Sequence, residues 1–298
     1  MDINNLIPKV LIAAPTSNRH SHIIDKWIAH LNSFTYPNFD VCLVDNSLNS
    51  DTYFKKLQNS KIKDKSIITW QHKWNIKEKH PLQMLANVRE EIRQYFIAHK
   101  EYEFLWWLDD DIFVPKNSIQ RLVSYNKDHV GFYVPVFYKP NRVPCILKSG
   151  DVIVGKGLEY YSFKELRAYK EFADKFKSDK LTEKEKLLIP FIIKDKWHPN
   201  LFKTYGVNLG CLMVKRNVVE AVPFRTHPTF IWGEDCWYFA EANDKKFEFW
   251  CDVSVKVRHE NTDWTIINKN SRELGFFIAI GPVTDNLKGA DIVIPNKK

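Results

Sequence analysis

No apolar run in this chain approaches the ~18–20 residues that a membrane-crossing helix requires. The opening stretch, MDINNLIPKVLIAAPT, lacks the basic start and long apolar core of a secretory signal. Repeats and low-complexity segments are absent too, so neither a repeat array nor a disordered tract is expected. Cysteine is sparse and scattered. Cys42, Cys145, Cys211, Cys236 and Cys251 have no metal-ligand spacing and mostly sit in apolar stretches. They read as buried thiols of a reducing compartment, which points to the cytoplasm.

What the sequence has is enough material for one large core. Of its 298 residues 44% are hydrophobic and 14% aromatic, with 10 tryptophans, a composition disordered chains do not show. The net charge is +8, and residues 51–79 hold eight lysines against three acids. Such a patch faces a phosphate-bearing ligand, an anionic membrane surface or, by default, solvent alone.

Residues 9–15 (KVLIAAP) and 40–44 are short apolar runs of the buried parallel-strand kind, separated by helical spacing of Ile23, Ile24, Trp27, Ile28, Leu31 and Phe34 over 17–34. This βαβ alternation predicts an α/β fold with a mostly parallel central sheet, and ligands at the carboxyl ends of its strands. A third strand is expected over 66–70. A helix starts at Pro81 with Leu82, Leu85, Ile92 and Phe96 on one face. Arg89 lies on that stripe, where a charge needs an ion-pair partner or a bound anion, whereas Arg93 lies off it. Another helix is expected over 115–125. Strands are expected at 131–139 and 145–155, the latter folding as a hairpin around 149–151.

The segment FLWWLDDDIFVP (104–115) runs a buried central strand directly into Asp109, Asp110 and Asp111. Three adjacent carboxylates at the edge of a core are costly without a cation or strong donors, so a divalent metal is expected there rather than a solvated acidic turn. Strand alternation puts Asp109 and Asp111 on one side and Asp110 on the other.

Residues 156–203 are highly charged and read as a helical insertion, with capping-box spacing at Ser162/Glu165 and Thr182/Glu185. It is either a cover for the active face or a structural lobe. Gly206 and Gly210 then bracket a strand-like segment that permits close backbone approach. Glu234 and Asp235 follow Gly233 in the first turn of a helix, where the dipole by itself would favour them. Residues 247–257 alternate as a half-buried strand delivering His259.

The order of these features resembles the nucleotide-sugar glycosyltransferases of the GT-A fold, those like glycosyltransferase family 2 in particular. The resemblance is carried by APTSNR, VDNS, LANVRE, LDDD, VNLGCLMV, WGED and RHE, over residues 8–260. It implies nucleotide-sugar contacts from Pro15, Thr16, Asn18, Arg19, Asp45, Asn87, Arg89, Asp109 and Asp110. Mn²⁺ or Mg²⁺ would be held by Asp109, Asp111 and His259. Asp235 would be the general base, with Glu234 as its substitute, and Asn208, Trp232 and Gly233 would line the acceptor side. Trp232 and Trp106 either stack on sugars or pack in the core.

The implied activity is transfer of one sugar from a UDP- or GDP-sugar to a glycan or glycolipid hydroxyl, with inversion implied by WGED. The enzyme would be cytoplasmic, with contact at a membrane surface and no nucleic-acid partner. The catalytic domain is expected over 1–265, with 266–298 an extension packed on it. The QXXRW motif of processive members is missing. Two rivals stand beside this reading. A nucleotidyltransferase is disfavoured by the glycine-free loop APTSNRHSH. A polyanion- or nucleic-acid-binding protein leaves the three aspartates without a purpose.

Overall fold

The computed structural model describes residues 7–47, 51–73, 81–138, 141–144, 146–151, 156–160, 180, 182–183, 201–225, 234–255, 257–260, 277–278 and 292–293. The continuous apolar runs form the middle of an eight-stranded sheet. Its strands are β1 (Lys9–Thr16), β2 (Phe39–Asp45), β3 (Ile67–Gln71), β4 (Tyr102–Leu108), β6 (His129–Phe132), β11 (Leu201–Thr204), β13 (Cys211–Lys215) and β14 (Phe249–Asp252), in the order β11-β14-β6-β13-β4-β1-β2-β3. Strands β3, β2, β1 and β4 are mutually parallel, as are β14 and β6; β13 runs against both of its neighbours, β4 and β6.

Both faces of the sheet are covered, which is why these strands read as unbroken apolar runs rather than alternating ones. Consecutive residues feed opposite cores. Val10, Ile12 and Trp106 pack with α1 (Ile24–Leu31), α2 (Asp51–Asn59) and α4 (Ser118–Tyr125). Leu11, Ala13 and Trp107 pack with α3 (Pro81–Ala98), α5 (Arg216–Ala221) and α6 (Glu234–Asp244). Trp106 is fully buried and stacked on Phe34, so it is a core residue. No described helix is long and apolar enough to cross a membrane.

Several expectations change in detail. The helix predicted over 17–34 begins only at Ile24, because Asn18–His20 form a tight 3-10 turn first. The lysine-rich segment contains α2, anchored by buried Tyr53 and Leu57. On α3 the buried stripe is Met84, Val88, Ile92 and Phe96, and Leu85 is only half-buried. Arg93 is buried as well as Arg89, because it donates to the carbonyls of Val219 and Glu220 and to Glu90.

The expected strand over 247–257 is broken. Asp252 accepts from the backbone and hydroxyl of Ser254 at 2.9 and 2.8 Å, turning the chain after β14. The short β15 (Arg258–His259) then pairs with β5 (Ile112–Phe113). The segment between Gly206 and Gly210 is likewise split, into β12 (Gly206–Val207) and a turn before β13.

The strand pair β7 (Pro135–Tyr138) and β8 (Asn141–Pro144) precedes the hairpin of β9 (Ile146–Asp151) and β10 (Lys156–Tyr160). Asp151 faces Lys156 in that ladder, so 149–151 belong to a strand and not to the turn expected there. Strands β10 and β11 likewise occupy the two ends of the region expected to be a helical insertion. Its interior and both capping boxes lie wholly or partly outside the described residues. From the C-terminal extension only β16 (Phe277–Ile278) and β17 (Ile292–Val293) are described, paired antiparallel.

Candidate active site at the carboxyl edge of the sheet

Strand β4 lies between β1 and β13 and ends at Leu108. The three aspartates that follow form a turn, closed by the Ile112 N–H donating to the Asp109 carbonyl at 3.0 Å. This turn replaces the strand alternation expected for them; Asp is among the residues common in turns. The turn is nevertheless not a solvated one, since Asp110 and Asp111 are 1% and 5% exposed.

Turn geometry sends the three carboxylates to different partners. Asp110 accepts from the Thr16 hydroxyl at 2.5 Å on one oxygen and meets His20 Nδ1 at 2.5 Å on the other. Thr16 also bonds the Tyr53 hydroxyl at 2.6 Å, tying β1, α2 and the turn together. Burial works against charge on His20, but Asp110 beside it, with Asp111 adding, raises its pKa to about 9. Burial lowers the pKa of the neighbouring Arg19, with Asp110 opposing the shift.

Asp109 turns the other way, accepting from Arg89 Nη2 at 3.3 Å, and its side chain is 34% exposed. Its carboxyl pKa is raised, chiefly by desolvation, with Arg89 opposing and the two neighbouring aspartates reinforcing. Gly210 makes room for it: a Cβ there would lie 2.1 Å from Asp109 Oδ2 and 3.0 Å from Asn208 Oδ1. The expected close approach therefore has a definite object, the carboxylate of the turn.

Asp111 meets His259 Nε2 at 3.1 Å, the histidine being delivered by the pairing of β15 with β5. A carboxylate oxygen and an imidazole nitrogen are donors of the kind that would fit a divalent ion such as Mn²⁺. Among the described residues no group of three or more His, Cys, Asp or Glu side chains converges to hold a metal by itself.

Arg89 joins this edge to α6. Its Nε donates to Glu234 Oε1 at 3.2 Å and its guanidinium stacks over Trp107 at 5.0 Å. An internal pair, one of the two alternatives left open for this buried charge, is therefore present. Its Nη1, however, is buried without an acceptor among the described residues. Burial pushes the Glu234 carboxyl up to about 7, Arg89 opposing and Asp235 reinforcing the shift. Asp235 is less buried than Glu234 and caps its own helix, accepting from the Cys236 N–H at 2.7 Å.

On the β1 side Pro15 and Thr16 are buried at the strand end, and the Asn18 N–H donates to Ser47 at 2.7 Å. Arg19 Nε donates to Ser17 at 3.2 Å. Asp45 is fully buried, accepting from the Ser47 N–H at 2.8 Å and Gln71 at 3.4 Å. Burial raises its pKa against these bonds. Asn87 does not share Arg89's side of α3: two residues apart on a helix means roughly 200°, and Asn87 lines a cleft with Trp70 and Tyr95 instead. The Asn208 carbonyl accepts from the Cys211 N–H at 3.1 Å, and its buried side-chain Oδ1 lacks a donor among the described residues. Trp232 and Gly233 lie outside the described residues. His20 and Tyr53 were missed from the sequence; a histidine in a glycine-free loop gives no hint of an aspartate 90 positions away.

A mostly parallel mixed sheet covered by helices on both faces, with carboxylates, an arginine and a histidine gathered at its carboxyl edge, has the GT-A architecture of glycosyltransferases. The sequence matches Glycosyl transferase family 2 over residues 11–171, and the chain belongs to that family. It is similar in fold to GalNAc-T7, solved with UDP, GalNAc and Mn²⁺: TM-score 0.56 and 14% identity, over 85% of this chain and 44% of that one. S. aureus TarS is a more distant likeness, with TM-score 0.45 and 12% identity over 90% of this chain and 39% of that one. The chain thus spans less than half the length of either. No curated protein sequence matches it.

Proposed function

We propose that this family 2 glycosyltransferase moves a single sugar, with inversion, from a UDP- or GDP-sugar to a hydroxyl of a glycan or glycolipid. The observation that carries the reading is the Arg89 bridge, which joins the donor-side Asp109 to Glu234 of the acceptor-side helix in one buried network. The orphaned Nη1 of Arg89 supports a ligand oxygen there, since a buried donor left unmet is costly.

Asp111 and His259, with Asp109, would hold Mn²⁺ or Mg²⁺, which when bound neutralises the charge developing on a departing diphosphate. Asp235 takes the proton from the acceptor hydroxyl. Its greater exposure favours it over Glu234, which Arg89 pins. Asn208, beside the Asp109 carboxylate, orients the sugar or the acceptor. Pro15, Thr16, Asn18, Arg19 and Asp45 form the nucleoside side, whereas Asn87 lies on the far flank of α3. Thr16 and Asp110 act there by fixing the turn, through their mutual bond. Exposed Lys55, Lys61 and Lys63 supply the face for an anionic membrane surface carrying a glycolipid.

A panel of nucleotide sugars with Mn²⁺, scored for slow donor hydrolysis, tests the reading without knowledge of the acceptor. Asp109→Ala and Asp111→Ala are expected to abolish turnover; full activity in either overturns the metal assignment. Asp235→Asn is expected to bind nucleotide and lose transfer by roughly 10²- to 10⁴-fold. Unchanged transfer would put the base elsewhere.

A further inference from the structure

On the flank of α3 away from Arg89, an open cleft of about 600 Å³ lies between the helix and the sheet-edge strand β3. That volume is in the range of small-ligand sites. Its floor is aromatic: the Trp70 and Tyr95 rings stand 5.6 Å apart and tilted by 38°. The floor is also held in place. Glu91 accepts from the Trp70 indole N–H at 2.9 Å with one oxygen and meets His72 Nδ1 at 2.8 Å with the other. The rim is polar, with Gln94 and Lys73 exposed and Glu90 half-buried. Glu90 is itself fixed, by Arg93, by Gln94 and by the Phe224 N–H at 2.8 Å.

The lining selects among ligand classes. Two carboxylates against one lysine disfavour a phosphate or other anion. Both carboxylates already accept from N–H groups, which weakens their call on a free cation. Spare carboxylate lone pairs and an amide that both donates and accepts suit hydroxyl groups, and a pair of fixed rings suits the apolar face of a pyranose. We propose that this cleft is a second binding site, for a neutral sugar ring of a glycan, separate from the reacting centre. The proposal rests on membership of a sugar-transferring family and not on the metal or base assignments. A glycan held here would be retained by the enzyme while another part of it, or another chain, reacts at the Asp109–Asp111 turn.

The test is an NMR titration of protein carrying ¹⁵N-labelled tryptophan with maltotriose, mannotriose and triacetylchitotriose, the Trp70 indole signal being assigned with Trp70→Phe. At least one trisaccharide is expected to shift that signal saturably. Gln94→Trp, which fills the cleft from an exposed position, and Tyr95→Ala are expected to weaken binding tenfold or more. Asp111→Ala is expected to leave it unchanged. The proposal is overturned if no trisaccharide gives a saturable shift, if Gln94→Trp binds as tightly as the parent, or if Asp111→Ala abolishes the effect. Donor hydrolysis reads the other site: its absence defeats the transfer reading, while a saturable shift sensitive to Gln94→Trp still supports the cleft.

Discussion

Asp110 and the two aspartates flanking it are adjacent in the chain but differ in what they meet. Asp110 gives both oxygens to the protein's own Thr16 and His20 and is 1% exposed. Asp109 faces Arg89 and open space, and Asp111 faces His259. A carboxylate whose oxygens are occupied by its own chain serves the fold. Asp109, a third exposed and beside an orphaned arginine nitrogen, keeps an open side. Asp110 is therefore the structural acid of the triplet, Asp109 and Asp111 are the ones the proposed function assigns to the metal, and a turn rather than a strand separates them.

The largest test of the contrast is Arg89→Ala. It leaves Glu234 buried without its cation and frees Asp109, so a stability loss of about 3–5 kcal/mol is expected in urea unfolding, together with loss of donor turnover. An equally stable variant would mean that the bridge contributes little. Asp110→Ala comes next, with a cost of about 1–3 kcal/mol from donors left unmet at Thr16 and His20. If it proved as stable as the parent, Asp110 would belong with its neighbours instead.

A third test is one of pH. His20 and Glu234 both bind their protons more tightly when folded, with pKa values raised to about 9 and about 7. Between their ordinary values and these, the folded state keeps protons that the unfolded chain has released. Stability therefore falls as pH rises, from about 4.5 to 7 for Glu234 and from about 6.5 to 9 for His20. Urea midpoints are expected to drop from about pH 7 to 9, and His20→Asn to flatten that upper limb. A limb unchanged in the variant would remove His20 from the account.

The transfer of chemistry from sequence to structure was uneven. Arg89 was legible as a charge on a buried stripe, because 3.6-residue periodicity exposes such conflicts. Its partner Glu234 was not, because it lies 145 residues along the chain. The strand expected over 247–257 had convincing alternation. It fails because Asp252, fully buried and held by Arg121 and Tyr125, turns the backbone through Ser254, and the long-range bonds that fix it leave no local period. Asn87 and Arg89 sit in one short motif, yet the helix sends them to opposite flanks, one to the cleft and one to the acidic turn.

By itself the sequence determined the α/β alternation, the central place of the strand before the aspartates, and the helix that starts at Glu234. These follow from local patterns of burial, which the chain must satisfy wherever its elements end up. Only the tertiary structure decided the strand order, with β13 reversed between β4 and β6, and which of three identical carboxylates would be spent on the fold. Carboxylates are chemically alike; what separates them is the neighbour that packing brings within 3 Å or so, and that neighbour comes from remote parts of the chain.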